Sequence, residues 1–390
     1  MKSNYDVLGN HIQLVDRRNN ELITDKVLGI NIDKFFMPSV ANVIGTDLSK
    51  YKLIVKDTFA CNPMHVGRDE RLPVALYTED DPAIVSPAYF MFEIKEDSEL
   101  LPAYLMMWLR RPEFDRNCWF RTDGSVRGGI TWDDICRLEV PVPSKSEQEA
   151  VIASYKAITD RIALKQKIND NLADQAVCYI QNSITNQPES WRKCSVNDLV
   201  SQGLLDAPMD GNHGEIHPKA SDYVQSGVPF IMANNLISGY VDYENCAYIS
   251  SNQANSLRKG FAHPGDVLLT HKATIGRTAI VSDKYPITIL TPQVTYYRTN
   301  GYLYNGFLRY YFETPEFKTT LAAWSGAGST RAYIGITKQL ELPISIPNEE
   351  IMSNIKMYIS SIENIRQANY VEIENLTKLK DLLVTRLSSH

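Results

Sequence analysis

The sequence predicts an α+β chain in which two tandem mixed α/β domains are separated by two long helices. The helices pair as an antiparallel coiled coil, and the two halves are related by a pseudo-two-fold. Three observations predict this. Two runs, 146–187 and 348–390, carry apolar residues at alternating four- and three-residue spacing and contain neither Gly nor Pro. Two other segments, 1–145 and 188–347, alternate short β-like runs with turns. Landmarks of the first segment also return in the second, in the same order, at an offset near 204 residues.

In chain order, residues 51–55, 74–77 and 89–94 read as strands, and 102–111 as a helical patch rich in apolar residues. A glycine-containing loop follows at 122–131, then an exit strand at 138–143 that ends in Pro143. Ser146, with Glu149 three residues on, has the pattern of a capping box and predicts the start of the first long helix. Its apolar seam is Val151, Tyr155, Ile158, Ile162, Leu172, Ala176 and Tyr179, interrupted at the middle by Lys165 and Asn169. At about 1.5 Å per residue the helix is about 60 Å long and needs a partner strip for that seam. The partner follows Pro347. There Asn348 caps a second helix carrying Ile351, Ile355, Ile359, Ile362, Ile365, Ile373, Leu376, Leu379, Leu383 and Leu387.

The repeat makes the chain a pseudo-dimer on one polypeptide. Ser86-Pro87 ahead of an aromatic strand returns as Thr291-Pro292, and Arg111-Pro112-Glu113-Phe114 returns as Thr314-Pro315-Glu316-Phe317. Gly124-Ser125-Val126-Arg127 returns as Gly328-Ser329-Thr330-Arg331, and Gly129-Ile130-Thr131 as Gly335-Ile336-Thr337. The exit strand returns at 342–347, and each copy leads into a long helix. Two domains held apart by stiff paired helices form a ruler.

On these residues the chain resembles the specificity subunit of type I restriction-modification systems. The resemblance is carried by the run Val140-Pro141-Val142-Pro143-Ser144-Lys145-Ser146-Glu147-Gln148-Glu149 into the first helix. The second domain adds Asp210-Gly211-Asn212-His213-Gly214, then Gly227-Val228-Pro229-Phe230-Ile231 with Asn234-Asn235-Leu236, then Gly265-Asp266-Val267-Leu268-Leu269-Thr270-His271-Lys272-Ala273-Thr274-Ile275-Gly276-Arg277. The first domain matches this pattern poorly upstream of Ser86. The resemblance implies a non-catalytic role in which each domain is a target-recognition domain for one half of a bipartite double-stranded DNA site, with the helices setting the spacer. It implies two methyltransferase (modification) subunits as partners and, in the full complex, translocating restriction subunits. S-adenosylmethionine, ATP and Mg would belong to those partners, with no cofactor in this chain.

Reading bases needs Arg, Lys, Asn, Gln or hydroxyl side chains on loops, with basic groups and backbone N–H on phosphates. In the second domain the candidates are Asn212, His213, Lys219, Asn234, Asn235, His271, Lys272, Thr274, Arg277, Ser329 and Arg331. In the first they are Arg68, Arg71, Arg121, Ser125 and Arg127. Arg127 and Arg331 stand out because the repeat places both in glycine-containing loops, where backbone can come close to a phosphate.

Composition bounds the alternatives. Charged residues make up 22 % and apolar residues 44 %, as in an ordinary globular protein. The net charge of −6 disfavours a free-standing DNA binder, and the acidic balance leaves room for a two-domain coiled-coil adaptor that binds protein or glycan. Six scattered cysteines without a C-x-x-C pair, and no signal-peptide pattern after Met1, predict reduced thiols and a cytoplasmic location. No apolar run is long enough to span a bilayer. His213 and His217 have the spacing of a metal pair, but Gly214 and Pro218 place them in a loop, so no metal is expected. Asp81 with Glu93 and Lys95 superficially fits a nuclease pattern, which the repeated strand Tyr296-Tyr297-Arg298-Thr299 lacks. Ser86-Pro87-Ala88-Tyr89 lacks the second proline of amino-methyltransferases, and Gly326-Ala327-Gly328 is followed by no Gly-Lys-Ser/Thr.

Overall fold

Pro141 and Pro347 each close a strand, and the chain then enters a long helix, so the first exit strand stops two residues short of Pro143. The computed structural model describes residues 5–39, 45–64, 66–122, 128–326 and 332–386. The central helix runs Lys145–Asn186 and the C-terminal helix Glu349–Arg386. The chain divides into two units, 1–164 with 372–390, and 165–371, so that each long helix is shared between them.

The cap of the central helix lies two residues earlier than the sequence suggested. Ser144 Oγ accepts the Glu147 N–H at 3.4 Å, and the Glu147 carboxylate accepts the Ser144 N–H at 3.0 Å, so Ser144 and Glu147 form the box in place of Ser146 and Glu149. At the other helix Asn348 caps as expected, its Oδ1 accepting the Ile351 N–H at 3.0 Å.

In the first unit, strands Ile12–Val15, Phe90–Ile94, Phe59–Cys61 and Val74–Leu76 form an antiparallel sheet in that order. A second sheet orders Phe36–Pro38, Val27–Ile30, Ala83–Val85 and Lys52–Ile54, with the middle pair parallel. Tyr5–Val7 pairs with Glu139–Pro141, the strand before the helix. Helices Pro102–Leu109 and Pro112–Phe120 each begin with proline in the first turn, where its missing N–H costs nothing. Phe59 stacks on Phe92 at 4.8 Å in a core that also holds Leu105 and Trp108. Val151, Ile152 and Tyr155 of the central helix and Leu383 and Val384 of the C-terminal helix pack on that core.

The second unit repeats this topology strand for strand. Met209–Asp210, Val294–Tyr297, Val267–Thr270 and Thr278–Ile280 are consecutive in one sheet, extended here by Gly239–Val241 and Leu236–Ile237. The other sheet orders Ala247–Ile249, Val228–Ile231, Thr288–Leu290 and Phe261–Ala262, again with a parallel middle pair and with Tyr223–Val224 added at its edge. Trp191–Ser195 pairs with Pro343–Pro347 ahead of the second long helix. The repeat therefore extends upstream of Ser86, where the sequence did not reveal it. Ala176 and Ile180 of the central helix pack in one core with Ile355, Ile359 and Ile362. Two positions assigned to the C-terminal seam face solvent instead, since Ile365 and Leu379 are each 51 % exposed. Leu387 lies outside the described residues.

Candidate nucleic-acid interface

A hairpin of the second domain carries three of its exposed polar candidates, Lys272, Thr274 and Arg277. It leaves the sheet after Thr270 and returns at Thr278. Thr270 closes its base by giving its N–H to the Arg277 carbonyl and accepting the Arg277 N–H on Oγ1, both at 2.9 Å. Ala273 and Gly276 take left-handed φ values of 63° and 89°, and Lys272, Thr274 and Arg277 are left exposed. Arg277 reaches the Ala233 carbonyl at 3.4 Å beside exposed Asn234, and both line a cavity of about 1030 Å³ within the second unit.

The hairpin is tied to the segment that follows the glycine-containing loop. The Ile334 N–H donates to the His271 carbonyl at 3.0 Å and the Ala273 N–H to the Ala332 carbonyl at 3.1 Å. The first unit builds the same junction. There the Ile130 N–H donates to the Pro63 carbonyl at 3.1 Å and the Gly67 N–H to the Gly128 carbonyl at 2.9 Å. Pro63 follows strand Phe59–Cys61 as His271 follows Val267–Thr270. Each unit thus brings the turn after its central strand against the downstream flank of its glycine-containing loop. The loop residues themselves, Ser125, Arg127, Ser329 and Arg331, lie outside the described residues.

The Asp-Gly-Asn-His motif serves chiefly as architecture. Asp210 is buried and holds Lys259 Nζ at 2.5 Å and His213 Nε2 at 2.8 Å. Burial alone would raise its carboxyl, but Lys259 and His213 hold it below the usual carboxylate range. Asn212 is 3 % exposed, donating to the Lys259 carbonyl at 2.6 Å and accepting the Arg258 N–H at 3.0 Å. A Cβ on Gly211 would lie 1.9 Å from the Leu290 carbonyl oxygen, which is why glycine stands there.

The other candidates divide by burial. Asn235 is buried and accepts the Met232 N–H at 2.9 Å, bracing a turn. His271 is 1 % exposed, donates from Nδ1 to the Ile334 carbonyl at 2.9 Å, and is held below the ordinary histidine pKa by burial. His213 and Lys219 are exposed. In the first unit exposed Arg68 pairs with Asp69 at 2.6 and 2.9 Å, and Arg71 with Asp33 at 3.0 Å. Arg121 is exposed at the end of helix Pro112–Phe120. Gln293 was not among the candidates, yet it lines a depression of about 250 Å³ with Lys272, Thr291 and His217. Its only sequence signal is its place two residues after Thr291, the landmark ahead of the aromatic strand. Among the described residues no group of three or more His, Cys, Asp or Glu side chains could hold a metal ion, and no helix is long and apolar enough to cross a membrane.

No family model and no curated protein matches the chain. Solved structures do. The type I restriction-modification S subunit from M. genitalium is 12 % identical, with 99 % of this chain and 96 % of that one covered at a TM-score of 0.52. A structure concerned with complex assembly and conformational transition of a type I R-M system matches at 16 % identity, with 98 % and 96 % covered and a TM-score of 0.44. The HsdS subunit from Thermoanaerobacter tengcongensis matches at 16 % identity, with 98 % and 95 % covered and a TM-score of 0.37. The chain has the fold of the M. genitalium S subunit along essentially its whole length.

Proposed function

We propose that this chain is the DNA-specificity subunit of a type I restriction-modification complex. The observation that carries the proposal is the junction built twice, in which the turn after the central strand meets the flank of a glycine-containing loop in each unit. A bipartite reader needs one such surface per half-site, and this chain supplies two on one scaffold. In the second domain exposed Lys272, Thr274, Arg277 and Asn234 are the side chains offered to base edges and phosphates. Asn212, Asn235 and His271 shape the loops that present them.

The chain reads and scaffolds, and does not catalyse. Two modification subunits supply S-adenosylmethionine and the methyl transfer, and restriction subunits supply ATP, Mg and translocation. With a net charge of −6, the chain relies on those partners for much of the phosphate neutralisation. The paired helices set the spacer between half-sites. Gel-shift competition on the complex assembled with modification subunits tests this, since one split duplex should be preferred over scrambled DNA by at least about a hundredfold. A complex with no such preference would favour the adaptor that binds protein or glycan. Methylation or cleavage by the purified chain alone would overturn the non-catalytic assignment.

A further inference from the structure

Where the helix seam calls for apolar side chains, the second unit instead buries three polar ones, with half-buried Lys165 beside them. Asn169 accepts on Oδ1 from Asn369 Nδ2 at 2.8 Å, and Asn369 accepts on Oδ1 from Lys165 Nζ at 2.8 Å. Asn169 Nδ2 donates to the Arg366 carbonyl at 3.3 Å, and Arg366 Nε donates to the Asn169 carbonyl at 3.2 Å. Asn169, Asn369 and Arg366 are 6 %, 5 % and 1 % exposed.

The rest of the Arg366 guanidinium reaches Glu363 on its own helix and the second domain. Nη1 donates to Glu363 at 2.7 Å and to Tyr310 Oη at 2.8 Å, and Nη2 donates to the Ser238 carbonyl at 2.6 Å. The guanidinium lies 5.1 Å from the Tyr240 ring. Ser238 and Gly239 take left-handed φ values of 49° and 89°, so this turn is bent at Arg366, and a Cβ on Gly239 would lie 2.2 Å from Arg309 Nη2.

Resting on the proposed ruler, we infer that this polar layer locks the register of the two helices, and that Arg366 is the positioning residue that seats the second recognition domain on the layer. An apolar seam tolerates a one-heptad slip, because every apolar side chain meets another. Buried polar groups do not, because their partners move by about 10 Å and each is left unpaired. A slip of that size is about three base pairs of DNA at about 3.4 Å each, so the layer makes the accepted spacer single-valued.

The test uses the full chain assembled with its modification subunits, on duplexes with fixed half-sites and spacers varied in single-base-pair steps. The wild type should prefer one spacer by at least tenfold. The Asn169→Leu/Asn369→Leu double variant should fold with an unchanged or raised Tm, since apolar replacement of buried polar partners is often neutral or stabilising. It should nevertheless bind spacers about three base pairs away to within a few-fold of the best. Arg366→Met, which leaves Glu363 paired with Arg309 at 3.3 Å, should broaden the spacer in the same way while leaving half-site sequences unchanged. Folded variants that keep the wild-type spacer selectivity overturn the lock. If neither variant folds, the layer belongs to stability and the proposal is overturned as well. A wild-type complex that prefers the split site but accepts every spacer overturns the ruler beneath it, and one with no DNA preference overturns the DNA reading itself.

Discussion

Ile362 and Ile365 lie three residues apart on one helix and make opposite predictions. Ile362 is 5 % exposed in the core shared with Ile359 and Ala176, whereas Ile365 is 51 % exposed. Ile362→Asp forfeits about 1.5–3 kcal/mol of apolar burial. It also places a carboxylate where no partner waits, which costs several kcal/mol or forces the group to take up a proton. The sum is at least about 4 kcal/mol. In a unit of this size each kcal/mol shifts Tm by about 2–4 °C, so its transition should fall by at least about 8 °C. Ile365→Asp should stay within about 2 °C of wild type, as surface substitutions do. Scanning calorimetry is the suitable assay, because a chain of two units need not melt in one step. Equal losses in the two variants would refute the helix phase described here, and no loss in either would refute the pairing of the helices.

Gly211→Ala drives a Cβ into the Leu290 carbonyl of a central strand, so the variant should lose about 3 kcal/mol or fail to accumulate, as read by soluble yield and calorimetry. Burial holds His271 below its ordinary pKa, so the folded chain keeps it neutral while the unfolded chain protonates it near 6.5. Its contribution to stability is therefore complete above about pH 6.5 and is lost as pH falls toward the depressed folded value, by up to about 1.4 kcal/mol per pH unit. His271→Asn should flatten the dependence of urea midpoint on pH between about 6.5 and 5, and an unchanged slope would refute the burial argument. Lys272→Ala should weaken binding of the assembled complex to all duplexes alike and reduce the slope of log affinity against log salt by about 1, if Lys272 meets a phosphate. A change confined to one base position would make Lys272 a reader of bases.

The architecture was legible because two of its signals do not depend on tertiary detail. Helix-forming runs without Gly or Pro announce themselves, and a repeat announces itself wherever turn residues are shared. Upstream of Ser86 the repeat was hidden because β-strands impose little on residue identity beyond burial. Val27–Ile30 and Val228–Ile231 occupy the same place in their sheets, where Val27 stands opposite Ile84 as Phe230 does opposite Ile289, and Leu28 opposite Val85 as Ile231 does opposite Leu290, equivalents alike only in being apolar. The candidate contacts were less legible for a related reason. Asn212, Asn235 and His271 carry the chemistry of base readers, but the same groups satisfy backbone in tight turns, and only the fold decides between the two uses.

Helix phase gives the sharper lesson. On the C-terminal helix the buried positions run Ile355, Ile359, Ile362, Arg366 and Asn369, at spacings of four, three, four and three. Following hydrophobicity instead of spacing selects Ile365 over Arg366 and Leu379 over Lys380, one residue out of phase each time, and both choices face solvent. On the central helix the same spacing passes through Lys165 and Asn169, the two polar residues that break its seam. The interruptions on the two helices therefore belong to one layer, and their partners could have been named by keeping the period and disregarding residue type. A heptad seam is a rule about position, and a buried arginine at a seam position keeps the rule while adding a partner requirement that leucine lacks.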